Sequence, residues 1–435
     1  MYITVKNKFI ISIILTLANL ALLLYIAIPW IQSLSSEFGL IMSIIIICGI
    51  AIGPGLLNFF LIISTILDKQ KDIQIFDKPN EDVSILVAAY NEEELIYETL
   101  KSVSQQEYGG KIYLFALDNN SKDNTKLEIM RGIKDFSRDD LIIEYIFEPK
   151  QGKFHALNTG LKLVKTNKVI TLDADSWVYK DAISNLVARM ENEECVSVAG
   201  ATMVRNSRDN LLTKMQEWDY FLSIAAVKKM QGLFQGTLVA QGAFSIYDTK
   251  LIKEYGGWYD CIGEDIVITW KMLYEGHKVY YEPKAIVFTS VPIKLKVLFN
   301  QRVRWARGMI EGFRRFKPWN FYKNKYVIFL TFIDIAIVYF DFAFVFFLIP
   351  GIIACFFGYT QIVGIITLFT IPLNFISFSI LLWKERKYVF KPMGLKIRRN
   401  IKGYVAFLLT YQMIMSPAAL LGYFKELTRS KRKWK

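Results

Sequence analysis

A chain of 435 residues that is 53% hydrophobic, with a mean hydropathy of +0.27, is not an ordinary soluble protein, yet it has room for a globular domain of roughly 200 to 250 residues. Its net charge of +13 would suit nucleic acid, but many Lys and Arg residues flank apolar runs, so anionic lipid is the simpler partner and no nucleic acid is expected. The cysteines Cys48, Cys195, Cys261 and Cys355 lie far apart and only two histidines exist, which argues against a disulfide framework or a zinc site.

The apolar residues collect at the two ends. Phe9 to Ile31 carries no charge and is long enough to cross a bilayer as a helix; Gly39 to Leu67 is a second such run. The first is too long for a signal-peptide core and lacks an evident cleavage site, so both are expected to be retained. Hydrophobicity returns at Tyr326 to Leu348, again between Ile352 and Trp383, and from Tyr404 to Phe424. The expected division is two N-terminal spans in 1–68, a water-soluble domain in 69–295, an amphipathic segment in 296–325, C-terminal spans in 326–424 and a basic tail in 425–435.

Lys6 and Lys8 precede the first span, Lys69 and Lys71 follow the second, and "KERKYVFKPMGLKIRRN" (384–400) follows the fourth. The positive-inside rule then makes all three stretches, and the central domain, cytoplasmic in a multi-pass plasma-membrane protein. A fifth crossing would put the equally basic tail outside. Either the last segment, with Pro417 in it, is re-entrant or interfacial, or the rule fails there.

In the central domain, "VSILVAA" (83–89) is followed by a helical pattern, "KIYLFALDNN" (111–120) by another, and "KVITLDADS" (168–176) ends in carboxylates. Strand, turn and helix repeated in this way predict an α/β domain with a mostly parallel sheet, whose ligands bind at the carboxyl ends of the strands. Polar residues stand at those ends: Tyr90, Asn91 and Glu92; Asp118, Asn119 and Asn120; Asp173 and Asp175. A D-x-D pair after a strand can terminate it as an Asx-turn or hold a hard divalent cation with open positions for phosphate oxygens; its place after "VITL" favours the cation. Gly152 and Lys153 open a helical stretch where the lysine could meet a diphosphate or simply solvent, and His155 reads as a packing residue. Glu264 and Asp265 begin "EDIVITWKMLY", either complementing the helix dipole or offering a base to an attacking hydroxyl. "QRVRWARG" (301–308) sets three arginines and a tryptophan on an amphipathic stretch, suited to lipid head groups or to an anionic ligand beside a flat apolar one.

With "LDNNSKDNT", "LDADS", "GED" and "QRVRW" in this order, residues 80 to 320 resemble the membrane-bound processive glycosyltransferases of family 2, among them the cellulose, chitin, hyaluronan and poly-N-acetylglucosamine synthases. The resemblance implies a cytoplasmic GT-A, Rossmann-like domain between transmembrane helices. It makes Asp118 the contact to the nucleotide base and Tyr90 and Lys153 neighbours of the uridine diphosphate. Asp173 and Asp175 become the motif for Mg2+ or Mn2+ and diphosphate, and Asp265 the general base. Gln301, Arg304 and Trp305 match the Q-x-x-R-W signature of polymer-building members: Gln301 and Arg304 toward the diphosphate, Trp305 with Glu264 toward the acceptor sugar. Arg302, Arg307, Arg314 and Arg315 are expected at lipid or the domain surface.

Residues 214–232 and 241–252 look like the acceptor-lining and amphipathic segments of these enzymes. The wording of 256–283 and 300–308 leans toward the poly-N-acetylglucosamine members. The implied activity is inverting, processive transfer from a UDP-sugar, best matched by UDP-N-acetylglucosamine, to a growing β-linked polysaccharide, with lipid and possible export or accessory subunits as partners. The alternatives are a hyaluronan, chitin or cellulose type of synthase, or a single transfer to a lipid or cell-wall acceptor. The sequence departs from the family at Gly263, where Thr is usual, and at Asn119, where a second aspartate is common.

Overall fold

The computed structural model describes residues 3–68, 79–321, 323–363 and 365–430; Lys69, Lys71 and the last five residues of the basic tail lie outside them. Eight strands form one sheet: β1 (Val83–Ala89), β2 (Ile112–Asp118), β3 (Leu141–Phe147), β4 (Lys168–Asp173), β5 (Ser176–Val178), β6 (Ser197–Val204), β7 (Phe244–Asp248) and β8 (Val279–Thr289), in the order β3-β2-β1-β4-β7-β6-β8-β5. The half built from β3, β2, β1 and β4 is parallel. Its register sets Ala89 beside Asp118 and Ala88 beside Asp173, which brings the polar strand ends to one edge.

Both faces of the sheet are covered. Ile85 and Val87 point to the side packed by Leu100, Val103, Leu186 and Val187, while Leu86 points to the side of Leu157 and Leu161. Period-two alternation between two apolar faces explains why these strands read as continuous hydrophobic runs.

Two features of the sheet differ from the sequence expectation. "LIIEYIF" forms the edge strand β3, so "KVITLD" is the fourth strand and not the third; at an edge, Glu144 and Phe147 are exposed and the apolar signal is diluted. "FSIYD", inside a stretch expected to be amphipathic, is the central strand β7, antiparallel to both β4 and β6. Five residues are too few for periodicity to identify.

Among the described residues, four helices are long and apolar enough to cross a membrane: Val5–Phe38, Leu40–Leu67, Lys325–Cys355 and Ile401–Leu427. The first two meet at Gly39, whose φ of 77° a residue with a side chain rarely adopts. Helix Ile365–Glu385 lies where another span was expected. The last segment is not broken at Pro417: the helix runs through it, after a π-helical turn at Phe407–Tyr411.

The amphipathic stretch is the 21-residue helix Leu295–Arg315, packed between helix Glu264–Tyr274 and the C-terminal helix. Gly422 lets the C-terminal helix approach closely, since a Cβ there would lie 2.6 Å from that of Ala306. The expected placement of the extra arginines at lipid or surface is corrected for two of them. Arg302 is buried 2.6 Å from Asp219, and Arg307 is buried 3.1 Å from Glu426. Each charge leaves water because an acid from a distant segment meets it. Arg314, 3.2 Å from the same Glu426, and Arg315 remain partly exposed.

Candidate active site

The strand ends are laced together before any ligand is considered. Asn91, in the left-handed region at φ 54°, accepts from the Lys122 N–H at 2.8 Å, and its own N–H donates to Ser121 Oγ at 3.1 Å. The Glu92 N–H donates to Thr125 Oγ1 at 2.8 Å. Asn119, after β2, accepts from the Gly152 N–H at 2.7 Å and donates to the Lys150 carbonyl at 2.5 Å. A second aspartate at this position could not donate to Lys150, so the departure from the family pattern has a structural use: Asn119 holds the loop that delivers Lys153.

These ends border a cavity of about 500 Å³. Tyr90, Lys153, Asp173, Asp175, Glu264, Asp265, Gln301, Arg304 and Trp305 all line it. Asp118 does not. It is buried behind the wall, with Oδ1 accepting from the Ser121 N–H and Oδ2 from the Tyr145 hydroxyl, both at 3.0 Å; Asn119 reaches the cavity in its place.

Lys153, Asp173 and Asp175 form a charged cluster in the cavity wall. Lys153 Nζ lies 2.5 Å from Asp173 and 3.8 Å from Glu264. Burial alone would lower its ammonium pKa, but Asp173, Glu264 and Asp265 together raise it, so it stays charged. Asp175 accepts from Ser176 Oγ and Thr289 Oγ1, both at 3.3 Å. Burial, then the charges of Asp173 and Glu92, push its carboxyl up to about 7. Converging carboxylates short of positive charge suit a hard divalent cation. No group of three or more His, Cys, Asp or Glu ligands is gathered among the described residues.

A candidate base and an aromatic wall complete the lining. Asp265 stands in the first turn of helix Glu264–Tyr274, with Oδ2 accepting from the Gly242 N–H at 3.0 Å and Oδ1 from the Ile266 N–H at 2.9 Å. Burial raises its neighbour Glu264 to about 7, although Lys153 opposes the shift and Asp265 reinforces it. Helix Leu295–Arg315 then presents Gln301, Arg304 and Trp305 on one cavity-facing stripe at i, i+3 and i+4. Gln301 Oε1 is buried without a hydrogen-bond partner among the described residues. Trp305 remains 37% exposed, its ring 6.4 Å from that of Tyr220.

Gly263 has its reason here as well: a Cβ on it would come within 2.9 Å of Gly308 Cα, so the two glycines let Asp265 and the helix that bears Trp305 approach each other. Lys228 and Gln241 also line the cavity; the sequence pointed to their segments, 214–232 and 241–252, but not to these two residues. The available signal was a lysine pair inside the otherwise apolar stretch "FLSIAAVKKM".

Residues 84–256 match the model of glycosyl transferase family 2. Poly-beta-1,6-N-acetyl-D-glucosamine synthase of Staphylococcus epidermidis is 30% identical over 370 residues, covering 81% of this chain and 85% of that protein. The protein of the same name from Staphylococcus aureus strain COL is 32% identical over 244 residues, 56% of this chain and 57% of that one. Among solved structures, the mannosyltransferase PcManGT from Pyrobaculum calidifontis, in complex with GDP-Man and Mn2+, superposes with a TM-score of 0.57 over 92% of this chain and 99% of its own, at 18% identity, a likeness of fold. A GT-A-like sheet flanked by apolar helices, a carboxylate-lined cavity at its strand ends and these relatives lead to one conclusion: the chain is an enzyme of the family 2 glycosyltransferases, related to poly-β-1,6-N-acetylglucosamine synthase.

Proposed function

We propose that this enzyme transfers N-acetylglucosamine from UDP-N-acetylglucosamine to the terminal hydroxyl of a growing β-linked polysaccharide, processively and with inversion. The observation that supports the reading is the convergence, within one cavity, of Lys153, Asp173 and Asp175 with Asp265 and Trp305. The catalytic domain, 69–295, works at the cytoplasmic face of the plasma membrane. The basic residues Lys6, Lys8 and 384–400 at span ends support that orientation. The apolar helices supply the way out for the product, with any export subunits beside them.

In the reaction, the acceptor oxygen bonds to the anomeric carbon as the bond from that carbon to the phosphate oxygen breaks. The electron pair leaves on the diphosphate and the acceptor proton passes to Asp265. Asp265 suits this role because two backbone N–H donors fix its carboxylate at the cavity wall. Lys153 exchanges Asp173 for the diphosphate and, with Arg304, binds the leaving group. Asp173 and Asp175 would hold a divalent cation, which would supply further charge neutralisation there. A single direct displacement at the anomeric carbon inverts its configuration. Trp305 offers its face to the acceptor sugar, a contact that tolerates sliding.

The test is release of uridine diphosphate by the membrane-embedded protein given the N-acetylglucosamine, glucose and glucuronate donors singly and in pairs, with and without a chelator, followed by product sizing. Chelator-sensitive turnover of the N-acetylglucosamine donor alone, with a long product, is expected. A requirement for glucuronate makes it a hyaluronan type of synthase, and a one-sugar product removes processivity.

A further inference from the structure

Lys228 is a buried, cavity-lining cation that this mechanism does not use. Tyr220, Ile224 and Lys228 follow each other four residues apart through the π-helical turn Tyr220–Ala226 and into helix Val227–Leu233, and all three line the cavity. Their wall includes Trp305, whose ring neighbours that of Tyr220, and Asp265 is close enough for its charge to act on Lys228. This is the acceptor side.

Three other lysines meet carboxylates. Lys153 meets Asp173 and Glu264, Lys168 meets Glu191 at 3.2 Å, and the adjacent Lys229 pairs with Glu385. Lys228, only 8% exposed, has no carboxylate paired with it among the described residues. Its ammonium donates to the side-chain oxygen of Gln241. Gln241 is itself fixed, since its Nε2 donates to the Gly200 carbonyl at 2.8 Å and to Thr202 Oγ1. The next residue, Gly242, holds Asp265, so Lys228 and the base are anchored on one short segment. Burial pushes the Lys228 ammonium down to about 7, with the Asp265 charge opposing. An ammonium has three donors, and Gln241 takes one. A buried donor left without a partner is costly, so the cavity is built for an occupant that brings an acceptor.

We propose that Lys228, held by Gln241, is an acceptor-side specificity residue: it donates to the acetamido oxygen of the terminal N-acetylhexosamine of the acceptor and turns away the same sugar carrying a free, protonated amine. The proposal rests on the reading of the site as an N-acetylglucosaminyltransferase. Two observations choose the amide. The partner the lysine already has is an amide oxygen, and an anionic acceptor group would lie beside the Asp265 carboxylate and be repelled. The discrimination follows from the same geometry, because an amine in place of the acetamido group brings no carbonyl oxygen to Lys228 and leaves its buried donors without that acceptor.

The experiment uses the full chain in lipid nanodiscs with UDP-N-acetylglucosamine and three short primers: a β-linked N-acetylglucosamine oligomer, its N-deacetylated counterpart and one ending in a uronate. The kcat/KM for the acetylated primer is expected to exceed that for the deacetylated one by at least about tenfold. In Lys228→Met that ratio falls toward one, whatever the absolute rate. Equal use of both primers by the unaltered protein overturns the proposal, as does preference for the uronate or a ratio unmoved in the variant. Because the unaltered protein already decides the first point, a variant that fails to fold does not rescue it. Absence of any donor turnover overturns the functional reading and this inference with it, whereas turnover without discrimination overturns this inference alone.

Discussion

The Arg302 guanidinium lies 4.1 Å from the centroid of the Trp305 ring while its Nη2 sits 2.6 Å from Asp219. Tyr411, from the C-terminal helix, donates to the same Asp219 oxygen at 3.0 Å and accepts from Arg302 at 3.2 Å. One buried arginine thus ties the aromatic wall of the cavity both to helix Leu211–Asp219 and to a helix outside the catalytic domain. Lysine is not an equivalent here, because a point charge cannot bond Asp219 and cover the indole face together. A desolvated cation–π pair is worth about 2 kcal/mol, or roughly a 30-fold change in an equilibrium constant. Arg302→Lys is therefore expected to shorten the product several-fold while donor turnover falls less. Product sizing beside UDP release checks it, and an unchanged chain length would show that Trp305 needs no such clamp.

Asp265→Asn removes the proton acceptor and keeps its shape. Polymer formation should fall by about 10²- to 10⁴-fold, the usual contribution of a general base. Affinity for the donor should stay within a small factor, since Lys153, Asp173 and Asp175 are untouched. Calorimetric titration of the variant with UDP-N-acetylglucosamine tests this, and a variant that no longer binds donor would move Asp265 from the base to the donor site.

The Gly263–Gly308 contact yields a less intuitive expectation. Threonine is the residue the family usually places before the Glu-Asp pair, yet Gly263→Thr should not help. Its Cβ would meet the Gly308 backbone at 2.9 Å, and a main-chain atom cannot turn aside as a side chain does. Overpacking of this kind costs about 1 to 3 kcal/mol, and here it would push Gln301, Arg304 and Trp305 away from Asp265. We expect at least about a tenfold loss of turnover at any substrate concentration. Activity at or above that of the unaltered protein would mean that the two helices separate freely.

The strand ends were legible because each couples an apolar run to an abrupt polar stop: "VITL" to Asp173, "VSILVAA" to Tyr90. The stripe of Gln301, Arg304 and Trp305 was legible because helical spacing sets those three side chains on one face. Partnership was not legible. Arg302 finds Asp219 across 83 residues and Arg307 finds Glu426 across 119, and nothing in a local window separates a buried arginine from one that meets lipid. Asp118 read as a cavity residue because it ends a strand, but Ser121 and Tyr145 turn its carboxylate away from the cavity. Residues 214–232 were legible as a segment of the acceptor-lining kind, but not which lysine of the pair serves the cavity: the fold gives Lys229 to Glu385 and Lys228 to the cavity.

That last placement has a consequence for stability. The Lys228 ammonium is held at about 7 in the folded protein against a usual 10.5. Between those values the unfolded chain binds more protons than the folded one, so this group makes stability rise with pH. Its penalty is complete below pH 7 and gone above about 10.5, and it amounts to a few kcal/mol at most. Lys228→Met removes the penalty while leaving every other titrating group in place. The variant should therefore gain more in unfolding temperature over the unaltered protein at pH 6.5 than at pH 9.5, with the gap narrowing by several degrees. Any benefit from burying the methionine is the same at both pH values and drops out of the comparison. Tryptophan fluorescence during heating of the detergent-solubilised proteins gives the measurement, and an equal gap at the two pH values would mean that Lys228 titrates as an ordinary solvated lysine.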